Sequence, residues 1–196
     1  MSLSNHHPRR LALYAVAAAS LGSGAVLAGC GEADAAADAA SDAGVSSPET
    51  PDIALDAAIM QGDDHAVHAH IMAGSPVNSK NMTGDTPLHI AAALGRLYAA
   101  EVLIGAGAEL EATNSSGVTP LFGAAFFCHA DVMQALIDAG ANKEVADQTG
   151  TSIRRIMAMP WEQIRPIYEM VHSSIGLPFD EQRIRDARPG IAELLR

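Results

Sequence analysis

Two stretches of this chain, "GDTPLHIAAALGRLYAAEVLIGAGAELEATNSS" from Gly84 and "GVTPLFGAAFFCHADVMQALIDAGANKEVADQT" from Gly117, are each 33 residues long and align without a gap. The same period projected backwards places Leu55 on Leu88, Ala58 on Ala91, Gly62 on Gly95 and Gly74 on Gly107, and projected forwards it places Gly150 on Gly117. Self-similarity at this period means a stack of like units, none of which can bury its apolar face alone. The units run 51–83, 84–116, 117–149 and 150–182, followed by a capping segment over 183–196.

Within a unit the residues predict two short helices. Thr86 and Thr119 are good N-caps, each followed by proline at the first helical position, where the missing N–H costs nothing. Leu88 and Leu121, followed by the pairs Ala91-Ala92 and Ala124-Ala125, give the first helix a small-residue face that lets neighbours approach closely. The second helix ends in Leu103-Ile104 or Leu136-Ile137, and Gly107 or Gly140 supplies a left-handed residue to close it. Helices this short are below the roughly 12–15 residues at which an isolated helix becomes even marginal in water, so stacking must hold them. Between units, Asn81-Met82-Thr83-Gly84, Asn114-Ser115-Ser116-Gly117 and Asp147-Gln148-Thr149-Gly150 read as type I turns at the tips of hairpin fingers.

The residues Thr86-Pro87-Leu88-His89, Gly95 and Gly107, repeated as Thr119-Pro120-Leu121 and Gly140, resemble the ankyrin repeat. That resemblance implies an all-α solenoid with no catalytic residues, no cofactor, and a concave face and finger tips that bind another protein. The tip residues are Lys80, Asn81 and Met82, then Thr113, Asn114 and Ser115, then Ala146, Asp147 and Gln148. Tyr98 and Phe127 join them if they face outward. It gives His89 a structural role, bonding neighbouring backbone. Cys128 stands where Gly62 and Gly95 stand, in a place that calls for a left-handed backbone.

The fourth unit departs from the pattern: Ser152-Ile153-Arg154 replaces Thr-Pro-Leu, and Pro160 and Pro166 interrupt the helix signal. Seven arginines and six acids lie from Arg154 onward, whereas residues 51–149 hold twelve acids against Lys80, Arg96 and Lys143. The repeat body is therefore acidic, which fits a partner with a basic patch.

The first fifty residues have a different character. His6, His7, Arg9 and Arg10 precede a charge-free run over 11–29, ending in Leu27-Ala28-Gly29-Cys30. These four residues resemble the lipobox of bacterial lipoproteins, which implies a signal peptide over 1–29, acylation of Cys30, and a chain tethered in the cell envelope. Gly31 in place of Asp favours the outer membrane, facing the periplasm. Residues 30–50 are a linker: five acids, no base and nothing larger than Val cannot offset chain entropy by burial. About twenty flexible residues span roughly 25 Å.

Without the leader the chain has ten basic residues against twenty-three acidic ones, a net charge of −13. That argues against nucleic acid, whose phosphates need a basic face. Cys128 is then the one thiol not taken by lipid, and no internal disulfide forms. The module is expected to be monomeric on its own. Its uses among similar envelope proteins would be support of an envelope or oxidative-stress protein, or immunity to a secreted toxin. The competing reading is a metal-binding or metal-dependent enzyme, with His65 and His68 sharing one helix face beside Asp64. His70 aligns with Leu103 and Leu136 and should turn inward, where it needs a hydrogen-bond partner.

Overall fold

A computed structural model of the chain describes residues 51–196. The segments read above as signal peptide and linker, Cys30 included, lie outside the described residues. The chain folds into helix pairs: α1 (Leu55–Gln61) with α2 (Asp64–Met72), α3 (Pro87–Leu94) with α4 (Leu97–Gly105), and α5 (Pro120–Phe126) with α6 (Ala130–Asp138). A fourth inner helix, α7 (Ile153–Ala158), is followed by α8 (Trp161–Ser174) and α9 (Glu181–Leu194). Helices α1, α3, α5 and α7 pack side by side as an inner file, and α2, α4 and α6 form an outer file behind them. The alanine pairs Ala91-Ala92 and Ala124-Ala125 have no exposed surface and sit where the inner helices meet.

Each pair depends on one backbone turn. Gly62, Gly95 and Cys128, 33 residues apart, all have positive φ, at 72°, 67° and 58°, and this left-handed residue folds the outer helix back along the inner one. Gly95 meets a second constraint, since a Cβ there would lie 2.4 Å from Nδ1 of His129. His129 is held in place by donating from Nε2 to the Ala93 carbonyl at 3.2 Å. Arg96, one repeat earlier, donates likewise to the Met60 carbonyl at 3.0 Å.

Cys128 takes the left-handed position against preference and gains something for it. Its side chain is 5% exposed, with Sγ 3.8 Å from the carbonyls of Phe126 and Ile184. Burial raises the thiol's pKa, so it stays protonated and inert. The left-handed strain of about 1–2 kcal/mol is thus set against a buried thiol worth about 1 kcal/mol. Cys128→Gly is expected to leave the unfolding free energy from urea titration within about 1 kcal/mol of wild type. A much larger loss would make the thiol a principal contact between the third repeat and α9.

The fingers repeat their hydrogen bonds at the same interval. The side-chain oxygen of Asn81 accepts from the backbone N–H of Thr83 and Asp85, that of Asn114 from Ser116 and Val118, and that of Asp147 from Thr149 and Thr151, all at 2.8–3.1 Å. Successive fingers are joined through backbone: Ser115 N–H donates to Thr83 O and Gln148 N–H to Ser116 O, both at 3.1 Å. The Lys80 ammonium donates to Thr113 O at 2.8 Å.

The fourth unit breaks this register, and the cause is local. Met159 ends α7 with φ −67° and ψ 139°, an extended conformation that the following Pro160 favours, in place of a left-handed turn. The chain therefore does not fold straight back. Helix α8 instead lies against the third repeat, where Tyr168 packs on Phe126 with ring centroids 4.8 Å apart. The outer position behind α7 and beside α6 is filled by α9. This corrects two expectations: α9 crosses the boundary drawn between 182 and 183, and Pro166 lies within α8 instead of ending it. Period counting could not see the displaced helix because α8 occupies the sequence positions of an outer helix without its place.

Candidate protein-binding face

The inner helices and fingers enclose a groove of about 340 Å³. Its floor follows from the period: Met60, Ala93 and Phe126 stand one repeat apart, as do Leu94 and Phe127, and His89 and Phe122. One wall is the finger row, with Thr83, Asp85, Ser116 and Val118, and the other is α8 with the turn after it, through Val171, Ile175 and Leu177. The displaced helix thus closes one end of the groove.

Of the nine tip residues named from sequence, the structure separates side chains that hold the fingers from those that face solvent. Asn81, Asn114 and Asp147 hold the turns, Asp147 while almost wholly buried. Met82 is 93% exposed, and Thr113, Ser115, Ala146 and Gln148 also face solvent, as does Lys80 while bonded to the next finger. Tyr98 sits on the outer file with its hydroxyl 3.4 Å from Nδ1 of His68, whereas Phe127 lines the groove. The remaining floor residues, and the wall from α8, were not singled out in the sequence as binding residues, His89 being named for its structural role alone. Their signal was the 33-residue interval read at positions 60, 93 and 126, but the wall has no equivalent in the other units.

His89 has the role expected of it. Its Nδ1 accepts from Thr86 N–H at 3.1 Å, which leaves Nε2–H to donate to the Val118 carbonyl of the next repeat at 2.9 Å. His70 is inward and bonded at both nitrogens, to Ser75 Oγ at 2.9 Å and Ile53 O at 2.6 Å. His65 and His68 are exposed, and among the described residues no group of three His, Cys, Asp or Glu side chains converges on a metal-sized site.

Burial holds the imidazoles of His89, His129 and His172 below their ordinary range, with Arg183 adding to the effect at His129 and His172. Each takes up its proton more readily when unfolded. Their contribution to stability is complete above about pH 6.5 and is lost as pH falls through the lower folded values. Asp56 is shifted upward by burial and by Asp85, and opposes this only in the carboxylate range. The thermal midpoint is therefore expected to drop between pH 7.5 and pH 5, and a flat profile would show that these rings protonate without disturbing their contacts.

Antiparallel helix pairs in two files, hydrogen-bonded fingers and an apolar groove between them define a solenoid scaffold with a preformed binding face. The solenoid is of the ankyrin kind: residues 55–147 match the family model described as ankyrin repeats, in three copies. No curated protein matches the chain. Ankyrin repeats typically serve protein–protein interaction as non-catalytic scaffolds.

Proposed function

We infer that this protein is a lipid-anchored binding module of the bacterial cell envelope, tethered at Cys30 and holding a protein partner across its fingers and groove. The observation that carries the reading is the groove itself: an apolar concavity walled on one side by the finger row, from whose first tip Met82 projects into solvent. The leader and the Leu-Ala-Gly-Cys boundary support the tether, and a linker of the composition of residues 30–50 would let the repeats stand roughly 25 Å off the lipid. Twelve acids against three bases over 51–149 favour a partner with a basic patch.

Two measurements test it. The mass of the N-terminal peptide from envelope-expressed full chain should carry acyl chains on Cys30, and an unmodified cysteine would remove the tether. A photo-crosslinking residue at Met82 or Gln148 should give one protein adduct that the same residue at Met72, on the outer file, does not. Equal adducts from all three positions would mean that the concave face has no special role.

A further inference from the structure

The groove is not the same along its length. Asp56, His89 and Phe122 occupy one position in three successive inner helices, Met60, Ala93 and Phe126 a second, Gln61, Leu94 and Phe127 a third, and Asp85 and Val118 one position in two successive fingers. In the first, third and fourth series the polarity falls toward the C-terminal end, and the second, apolar throughout, ends there in Phe126, where Val171, Ile175 and Leu177 join the lining. At the other end Asp56 lies one helical turn before Met60, and burial first and the charge of Asp85 second disfavour its ionised form. Asp85 is held by Thr83 Oγ1 at 2.5 Å and Asn114 Nδ2 at 2.7 Å, while Asp56 makes no hydrogen bond within the described residues. Asp85 therefore puts a carboxylate on the groove wall, with Asp56 nearby at the repeat position that His89 holds on the floor, while the far end is aromatic.

We propose that the groove binds a peptide segment in one direction, with a lysine or arginine at Asp56 and Asp85 and a bulky apolar side chain in the pocket between Ala93, Phe126, Phe127 and Ile175. The proposal rests on the protein-binding reading above and specifies its partner's chemistry. Neighbouring helices stand about 8–10 Å apart, so one to two layers separate the carboxylates from the pocket. Extended chain covers that with roughly three to six residues. A cation entering between the carboxylates relieves their repulsion, and the closed end fixes polarity because a charged side chain there would be stripped of water with no partner. The chain's own residues 31–50, with five acids and no base, have the wrong charge for the two carboxylates. The occupant is therefore a foreign segment.

Gly123 makes a clean test. It lies within α5 on the groove floor, and a Cβ built there meets nothing within 4 Å, so Gly123→Leu should fill the groove while favouring the helix. Random 12-residue peptides displayed on phage would be selected against the full chain in detergent, and the enriched sequences remade with a fluorophore for anisotropy. The expected peptides pair Lys or Arg with Phe, Leu or Met three to six residues away. Gly123→Leu should weaken them about tenfold or more with an unchanged or higher thermal midpoint. Asp56→Asn should weaken them about threefold to fivefold, and Lys→Glu in the peptide should abolish binding. Peptides that lack a base, or that bind Gly123→Leu as well as wild type, would overturn the directional groove and leave a binding module that uses another surface. A concentration-dependent dimer that Gly123→Leu returns to monomer would replace the peptide by a second copy of this chain. A library that yields no binder would overturn the groove and the module reading together, provided the crosslinking above is also silent.

Discussion

Arg188→Ala is expected to destabilise the protein by about 3–5 kcal/mol, lowering the thermal midpoint by about 10–15 °C for a domain of this size. Arg188 is 7% exposed, and its Nη2 lies 3.0, 2.8 and 2.9 Å from the carbonyl oxygens of Ile156, Met157 and Met159. Those carbonyls end α7, the inner helix that has no left-handed residue to close it. The guanidinium supplies the donors and places positive charge at the negative end of the helix. It also stands over the Trp161 and Tyr168 rings, 5.8 and 6.0 Å from their centroids, in surroundings that hold it without a carboxylate. Alanine would remove the arginine donor from all three carbonyls, leaving Ile156 O with only the Met159 N–H at 3.2 Å, and would detach α9 from α7. Arg188→Met restores the packing of the stem without donors and should fall between the two. If Arg188→Met matched wild type, water would be meeting those carbonyls and the arginine would matter only as bulk.

Leu103→Ala is expected to cost about 2–5 kcal/mol as a cavity. Leu103 has no exposed surface, and α4 packs against α2, α3 and α6, so the missing methyl groups open a hole between neighbouring units. Because no single helix pair is stable alone, the loss should appear as one cooperative shift of the urea midpoint rather than local fraying. Leu136→Ala, one repeat on and equally buried, should behave alike. An unchanged midpoint for either would mean that the outer helices are not held by the position the period assigns to them.

The repeat body was legible because its rules are local. Thr-Pro starts, an Asx side chain at each finger and a left-handed residue after each inner helix are read from a few adjacent residues, and even Cys128 declared its positive φ by alignment with Gly62 and Gly95. The C-terminal end was not legible because its rules are distant. Pro160 signalled a break, but the place of α8 depends on Tyr168 meeting Phe126, and the closure of α7 on an arginine about thirty residues away in sequence. The binding face fell between the two. Its finger tips were named, yet three of the nine proved to be turn-holding residues, and the aromatic floor was hidden among residues that any helical core would use.

The hydrogen bonds that shape the fingers run through Asn81, Asn114 and Asp147, and those that join them through backbone, Lys80 and Asn114, leaving Met82, Ser115 and Gln148 without a part in folding through their side chains. Inheritance can therefore rewrite the rim one codon at a time while the ladder beneath it stays fixed. A lineage could exchange one partner for another without passing through an unfolded ancestor.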